Sequence, residues 1–457
     1  MTDDLLQNAA RLSIRYLEGL NARGVAPTPD AIARLPELEG DLPAAPTDPA
    51  EVIALLDRAG SPATVASAGG RFFGFVVGGS LPVTVAANWL ATAWDQNAGL
   101  YVLSPAAATL ESAARRWILD VLGLPAAAEI GFVSGATMAN LSGVAAARHA
   151  LLATQGWDVE ARGLFGAPPI RVVVGEEVHV SLLKALALLG LGRDRVVRVP
   201  VDGQGRMRAD QVPALDSATL LCIQAGNVNT GAFDPAAELC SLAREAGTWV
   251  HVDGAFGLWL AAEPGRAHLA AGFAGADSWA MDAHKWLNVP YDSGLAICRH
   301  PEHLRAAMSI DASYIVQGEK REPYQYSPEM SRRARGVEVW AALRALGRSG
   351  LADLLDRSCR HAGRFAEGLA AAGHEVLNEV VSNQVMVSFG DPDTTRRVIA
   401  AVQEDGTCWC GATQWQGRTA MRISVSSWAT TDDDVERSLA AMLRCAAGVK
   451  REVARRT

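Results

Sequence analysis

Two short apolar runs, each closed by charged side chains, constrain this chain more than anything else in it. Thr248-Trp249-Val250-His251-Val252-Asp253-Gly254-Ala255 ends in a carboxylate, and Asp277-Ser278-Trp279-Ala280-Met281-Asp282-Ala283-His284-Lys285-Trp286 ends in an amine. They lie roughly thirty residues apart, about one βαβ crossover. Neighbouring parallel strands are the expected product. In open α/β sheets, ligands bind at the carboxyl ends of the strands, so Asp253 and Lys285 are expected to face one crevice.

The amine is a scarce resource here. Of 42 Lys+Arg, four are lysines (Lys184, Lys285, Lys320 and Lys450) and 38 (42 − 4) are arginines. A guanidinium does not deprotonate and cannot form an imine with a carbonyl. Lys320 lies in the polar run Gln317-Gly318-Glu319-Lys320-Arg321-Glu322 and Lys450 in a charged tail, so both are expected in water. Lys184, in the apolar helical stretch 182–191, can snorkel to solvent. Lys285 comes where a strand reaches a loop, and partial desolvation there favours a nucleophilic amine. An acid at Asp253 suits the ring nitrogen of pyridoxal phosphate, a cofactor that needs a lysine imine and an acid partner. At about 3 Å and an effective dielectric near 20, the gross attraction is on the order of 5 kcal/mol. An Asp capping the next turn is the plainer reading of Asp253 by itself.

A third stretch, Gly131-Phe132-Val133-Ser134-Gly135-Ala136-Thr137-Met138-Ala139-Asn140-Leu141, places small and hydroxyl residues ahead of an Ala-rich helical run. Backbone N–H groups at such a helix start, with the Ser134 and Thr137 hydroxyls, make a phosphate cradle. The glycine spacing and following lysine of a P-loop are absent. His179 follows the strand-like 170–174 and begins a helical stretch; its imidazole can stack on a planar cofactor or simply cap the helix. Asn227 and Asn229 follow the strand-like 220–223 in a loop closed by Gly231. They can contact a cofactor ring oxygen or a substrate carboxylate, or only shape the turn.

At 457 residues the chain has room for two or three structural domains. A net charge of −8 gives no nucleic-acid surface and no basic membrane patch. No apolar run approaches the roughly 20 residues needed to span a bilayer. Met1-Thr2-Asp3-Asp4 lacks the positive segment and apolar core of a signal peptide, so cytoplasmic residence is the expectation. Seven scattered cysteines suit free thiols in a reducing compartment. Cys408-Trp409-Cys410 has no further Cys or His ligands beside it, so packing rather than metal binding is expected there.

Residues 1–64 read as a helical segment with a Pro-rich break at 36–49, expected to dock on a partner subunit. From 65 to 315, strand-like and helical runs alternate, which predicts a large α/β domain with a mostly parallel sheet covered on both faces. Helix 234–246 shows the grammar, with Asp234 at the N-cap, Pro235 at N1 and Gly247 after the end. Residues 316–334 read as a mobile loop containing Tyr324 and Tyr326. Residues 335–457 form a smaller α+β domain with candidate strands at 385–389, 407–416 and 420–426. A closing helix begins at Thr430 or Thr431.

Taken in order, these residues resemble the fold-type I pyridoxal-phosphate-dependent amino acid decarboxylases of group II, which include the aromatic amino acid and glutamate decarboxylases. The resemblance spans residues from about 65 onward. It rests on His251-Val252-Asp253-Gly254-Ala255, His284-Lys285-Trp286, the 134–141 loop, His179 and Ser331-Arg332-Arg333-Ala334-Arg335-Gly336. It implies a seven-stranded fold-type I large domain, a homodimer with its active site at the subunit interface, and pyridoxal 5′-phosphate as cofactor. Lys285 is then the lysine that binds the cofactor, and Asp253 the partner of its ring nitrogen. His179 stacks on the ring, and Ala255 packs on the opposite face. Ser134, Gly135, Ala136, Thr137 and His284 hold the phosphate, with Asp282 close by. Asn227 lies near the ring oxygen, and Arg422 takes the substrate α-carboxylate.

Similar enzymes release CO₂ from an L-amino acid and return a proton to Cα from a tyrosine on a closing loop. Tyr324 and Tyr326 are the candidates. Relatives lacking that tyrosine release an aldehyde instead, so an aldehyde synthase is the alternative, with a carbon–carbon lyase or a silent scaffold behind it. This chain departs from the pattern in places. Asp282 stands where many relatives have Asn, an odd neighbour for a phosphate dianion. Around the expected substrate pocket, the stretch 72–79 that contains Phe75 is less aromatic than in the aromatic-specific enzymes, and Asn97 and Tyr101 look more like the glutamate-specific pattern, which points toward a polar or unusual amino acid.

Overall fold

Continuous apolar strands need cover on both faces, and the chain provides it. The computed structural model describes residues 2–310 and 319–456. Its larger unit, Gly78–Arg360 with Asn378–Gln384, is built on a seven-stranded sheet. The strands are β1 (Glu129–Val133), β2 (Arg171–Gly175), β3 (Val197–Val199), β4 (Thr219–Gln224), β5 (Trp249–Asp253), β6 (Ser278–Asp282) and β7 (Gly294–Cys298). Their order is β1-β7-β6-β5-β4-β2-β3. Strands β2 to β6 run parallel, while β7 is antiparallel to both of its neighbours. Every residue of β1 and of β4 to β7 is buried. The mostly parallel α/β architecture is the one expected.

Register carries the site. Val133 of β1 and Asp282 of β6 both pair with Gly294 of β7, and Asp253 pairs with Ala280 and Gln224 on its two sides. The carboxyl ends of β1, β5 and β6 therefore finish at one edge of the sheet. The helix Ala136–Ala153 starts at that edge and packs along β5 to β7. Its small side chains allow close approach: a Cβ at Gly143 would stand 2.6 Å from His251 Cε1.

Strand β1 is an edge strand, with outward carbonyls that need partners. Arg321 donates to the Ile130 carbonyl at 2.6 Å and Arg332 to that of Phe132 at 3.3 Å. Both cations then meet buried acids. Arg332 reaches Glu111 at 2.8 Å; Arg321 reaches Glu129 at 3.0 Å and Glu111 at 3.3 Å; Arg115 reaches Glu129 at 3.0 Å. Burial opposes the charge on Arg321, but Glu129 and Glu111 outweigh it and hold its pKa above the ordinary value. The expected mobile loop 316–334 is, over its described residues, stitched down by these contacts. Residues 316–318 lie outside the described residues.

The smaller unit comprises Met1–Val77, His361–Leu377 and Val385–Thr457. It contains a four-stranded sheet in the order β10-β11-β9-β8: β8 (Glu375–Val376), β9 (Gln384–Ser388), β10 (Gly411–Trp415) and β11 (Arg418–Ser424). The amino-terminal segment belongs to this unit rather than forming one of its own. Arg71, 3.5 Å from Asp434, also donates to the carbonyls of Thr407, Asn21 and Arg23. The closing helix runs Asp432–Arg456, with the Thr431 hydroxyl accepting from Asp434 N at 3.1 Å.

One local expectation fails. Asp234 does not cap the helix that follows it, which spans Ala236–Ala246. Its carboxylate accepts instead from Met207 N and Gln224 N, each at 2.7 Å, and burial pushes its pKa up to about 6. Two amides from elsewhere, one at the end of β4 and one in the loop after β3, compete better for that carboxylate than an amide of its own helix.

Candidate active site

The four lysines divide by exposure. Lys184, Lys320 and Lys450 are exposed, whereas the Lys285 side chain retains 18% exposure and sits 3.0 Å from Asp282 Oδ2. Its carbonyl leaves no room opposite: a Cβ at Gly78 would fall 1.6 Å from Lys285 O, so only glycine passes there.

Asp282 is more than a neighbour. Its Oδ1 accepts from Ala136 N, the first amide of the helix, at 2.5 Å, and lies 3.4 Å from His284 Nε2. The acid that looks misplaced beside a phosphate thus counters the Lys285 ammonium and the positive helix end. His284 is buried, and burial lowers its pKa. Its Nδ1 accepts from Ser293 N at 3.1 Å, which puts the proton of the neutral ring on Nε2, toward Asp282.

Asp253 ends β5, 5% exposed, with Oδ1 accepting from Ala255 N at 3.2 Å and Oδ2 from Asn140 Nδ2 at 3.2 Å. The same Asn140 amide reaches Ser181 Oγ at 3.3 Å, and Ser181 Oγ lies 2.8 Å from His179 Nδ1. His179 caps the helix Val180–Leu188, its Nδ1 accepting from Ser181 N at 3.3 Å. The capping role fixes the ring in place, so the two readings of His179 are compatible. Ala255 lies between these groups in the chain, and its carbonyl accepts from Asp282 N at 2.9 Å. The first turns of one helix therefore link Asp282 through Ala136, Asp253 through Asn140, and His179 through Ser181.

Other expected residues do different work. Asn227 is buried and holds its own loop: Nδ2 donates to Glu177 at 2.9 Å, while Oδ1 accepts from Asn229 N at 2.8 Å and Thr230 N at 3.3 Å. Its side chain builds that turn. Asn97 Oδ1 accepts from Gly99 N at 3.0 Å and Arg332 N at 3.2 Å, and Tyr101 N donates to Glu322 at 2.7 Å. Both residues hold down the segment over β1. Tyr326 is buried, with its hydroxyl 2.8 Å from an Arg305 nitrogen and its ring under Arg321, an environment of packing. Tyr324 is also buried, but its hydroxyl has no hydrogen-bond partner. Phe75 and Arg422 belong to the smaller unit. There Phe75, at φ 54°, stacks on Trp409 with ring centroids 5.4 Å apart, and burial lowers the Arg422 pKa.

Sequence reasoning assigned no role to Asn140, Ser181 or Ser278, and saw His251 only as part of a motif. Position held the signal. His251 lies two residues before Asp253, on the same side of β5, and Asn140 and Gly143 share a helix face.

The pyridoxal-dependent decarboxylase conserved domain matches residues 38–390. The chain belongs to that family. The decarboxylase is 26% identical over 450 residues to an aromatic-L-amino-acid decarboxylase of Bacillus atrophaeus, covering 93% of this chain and 91% of the relative. It is 28% identical over 389 residues to an L-2,4-diaminobutyrate decarboxylase of Rhizobium meliloti, covering 79% and 75%. In fold it is similar to Oryza sativa TDC crystallised with PLP and tryptamine, with a TM-score of 0.90, 20% identity and 98% of each chain covered. Rhodiola rosea 4-hydroxyphenylacetaldehyde synthase is similar too, with a TM-score of 0.83, 20% identity, and 97% and 98% covered.

The decarboxylase is a fold-type I, pyridoxal-phosphate-dependent carboxy-lyase, and its residues fit that cofactor. Gly135 gives the helix start no side-chain cap, and beyond the Ala136 amide taken by Asp282 the helix dipole there favours an anion. A Cβ at Gly135 would come within 3.1 Å of His284 Cε1, and one at Gly294 within 2.4 Å of Gly135 Cα, so bare backbone forms this cradle. The buried Ser293 hydroxyl beside His284 has no hydrogen-bond partner. Among the described residues, no helix is long and apolar enough to cross a membrane.

Proposed function

We propose that this enzyme decarboxylates an L-amino acid to its amine, with Lys285, Asp253 and His179 as the residues that carry the reaction. The observation that supports it most directly is the single helix start linking Asp282, Asp253 and His179, with Lys285 ion-paired to Asp282. Pyridoxal phosphate supplies an electron-withdrawing ring that accepts the electron pair left at Cα when CO₂ departs. Asp253, held by two donors in a buried site, keeps a proton on the ring nitrogen. Lys285 contributes the amine that binds the cofactor, and Asp282 steadies its positive charge. Ser134, Gly135, Ala136, Thr137 and His284 hold the phosphate.

Return of the proton to Cα separates amine from aldehyde production. Of the two tyrosines, we assign that proton to Tyr324. Its buried hydroxyl has no partner, whereas Tyr326 already shares its own with Arg305. Both curated relatives named above are decarboxylases, which favours the amine product over the aldehyde.

We also propose a cytoplasmic homodimer. All seven cysteines are free thiols, as suits a reducing compartment. Apolar side chains stand exposed on the larger unit, at Trp89, Leu90, Trp94, Val102 and Leu103, and at Val180, 71% exposed beside His179. Such surface suits burial against a second copy.

The test is an assay of CO₂, ammonia and hydrogen peroxide together across a panel of L-amino acids. CO₂ with no ammonia is the expected result. Stoichiometric ammonia and peroxide would make the enzyme an aldehyde synthase. In Tyr324→Phe, the same assay should move product from amine toward aldehyde; unchanged amine output removes Tyr324 from the proton step.

A further inference from the structure

A hydrogen-bonded chain runs away from Asp253 into the core. We propose that Asn140 is a positioning residue, the last link of a one-way chain Trp249→Ser278→His251→Asn140→Asp253 that fixes the orientation of the acid. The proposal rests on the reading of Asp253 as the partner of the cofactor ring nitrogen.

Direction follows from the two ends. The Trp249 indole N–H can only donate, and it lies 3.0 Å from Ser278 Oγ. The Ser278 hydroxyl is 2.8 Å from His251 Nδ1, the one other polar partner within its reach among the described residues. Donation there makes Nδ1 an acceptor, so the neutral imidazole carries its proton on Nε2. That nitrogen is 2.8 Å from Asn140 Oδ1, which accepts. The Asn140 Nδ2 is then turned toward Asp253 Oδ2 at 3.2 Å and Ser181 Oγ at 3.3 Å.

The reverse direction fails at both ends. It would leave the Ser278 proton without an acceptor and set the Asn140 carbonyl oxygen against a carboxylate that can only accept. Asn140, His251 and Ser278 are fully buried, so water does not relieve either mismatch. Burial also pushes the His251 pKa down to about 4, which keeps the ring neutral at physiological pH. Gly143 leaves the space that this imidazole occupies. The second Asn140 proton extends the link through Ser181 to His179, so one amide orients both the acid beneath the ring and the imidazole expected to stack on it.

The experiment uses the cofactor-loaded enzyme with ¹⁵N-labelled histidine. Expected is a His251 resonance pair for the neutral Nε2–H tautomer, unchanged between pH 6 and 8.5. An Nδ1–H tautomer or an imidazolium in that range overturns the chain. In Ser278→Ala the Asn140 carbonyl oxygen still holds the proton on Nε2, so the same tautomer should persist; a switch to Nδ1–H overturns the chain as well. Asn140→Leu should lower kcat roughly 10- to 100-fold, the usual loss when a supporting partner is removed, with KM and cofactor retention little changed. Retained kcat contradicts the positioning role. Borohydride trapping on Lys285 is run alongside. Its absence in the unaltered enzyme defeats the reading of the site itself, whereas its presence with the wrong tautomer defeats only this inference.

Discussion

Two buried polar clusters in the larger unit are built on opposite plans. The one over β1 is ionic: Glu111 and Glu129 are shared among Arg115, Arg321 and Arg332, and two of these cations also close the strand edge. The one beneath the helix start is neutral along its length and charged only at Asp253. An ionic cluster holds its members by mutual charge and does not specify a direction. A neutral chain between an obligate donor and an obligate acceptor does. The first suits tying down a segment, and the second suits aiming a single functional group.

The comparison breaks most visibly at Glu111. Glu111→Ala strands the buried Arg332 and Arg321 without one of their acids and should cost about 3–5 kcal/mol in denaturant unfolding. Replacing Glu111 and Arg332 together by Met should recover much of that loss, because Arg332 is then not stranded and Arg321 keeps Glu129. A small effect from Glu111→Ala would mean that the cluster does not hold the segment down. At the other cluster, Asp253→Asn should keep the fold and the bound cofactor but lose turnover by roughly 10²- to 10³-fold, the scale of a preorganised electrostatic group. Near-normal turnover would remove Asp253 from the chemistry.

Acid separates the clusters further. His251 has a folded pKa of about 4 against an ordinary 6.5, so the unfolded chain binds the extra proton. Its contribution is complete above pH 6.5 and is lost as pH falls toward 4, about 3 kcal/mol in all. Asp234 acts in the opposite sense: with its pKa raised to about 6, it loses stability as pH rises from 3.8 to 6. Net unfolding profiles therefore hide both. His251→Gln should flatten the part that falls toward acid, and an identical slope in the variant would contradict a buried neutral imidazole. The smallest expected effect is Gly143→Ala, whose methyl meets His251 at 2.6 Å. Overpacking there should cost about 1–3 kcal/mol, with a drop in turnover that an equally destabilising change near Glu111 does not share.

Much of this was legible in the sequence because it is local. Strand periodicity, the crossover interval and the scarcity of lysine identify the sheet and Lys285 without coordinates. Asp253 and His179 could be named because each ends or follows an apolar run. What stayed hidden depends on competition between distant partners. Asp234 was expected to cap its own helix, yet an amide of β4 and one of the loop after β3 take it. Asn227 and Asn97 are polar residues in loops near the expected site, and only three dimensions show their amides engaged by Glu177, Arg332 and their own turns. Asn140 looked like an ordinary residue in a helix. Its importance comes from facing β5, which spacing alone does not reveal. The segment over β1 read as mobile because it is polar, while its charges are matched by Glu111 and Glu129, some two hundred residues earlier in the chain.

The most direct measurement is reduction of the cofactor-loaded enzyme with borohydride, followed by peptide mapping of the four lysines. Visible absorbance should bleach, with a single pyridoxyl adduct on Lys285, and Lys285→Ala should show neither. An adduct on Lys184, Lys320 or Lys450, or an unchanged spectrum in Lys285→Ala, would contradict the site described here.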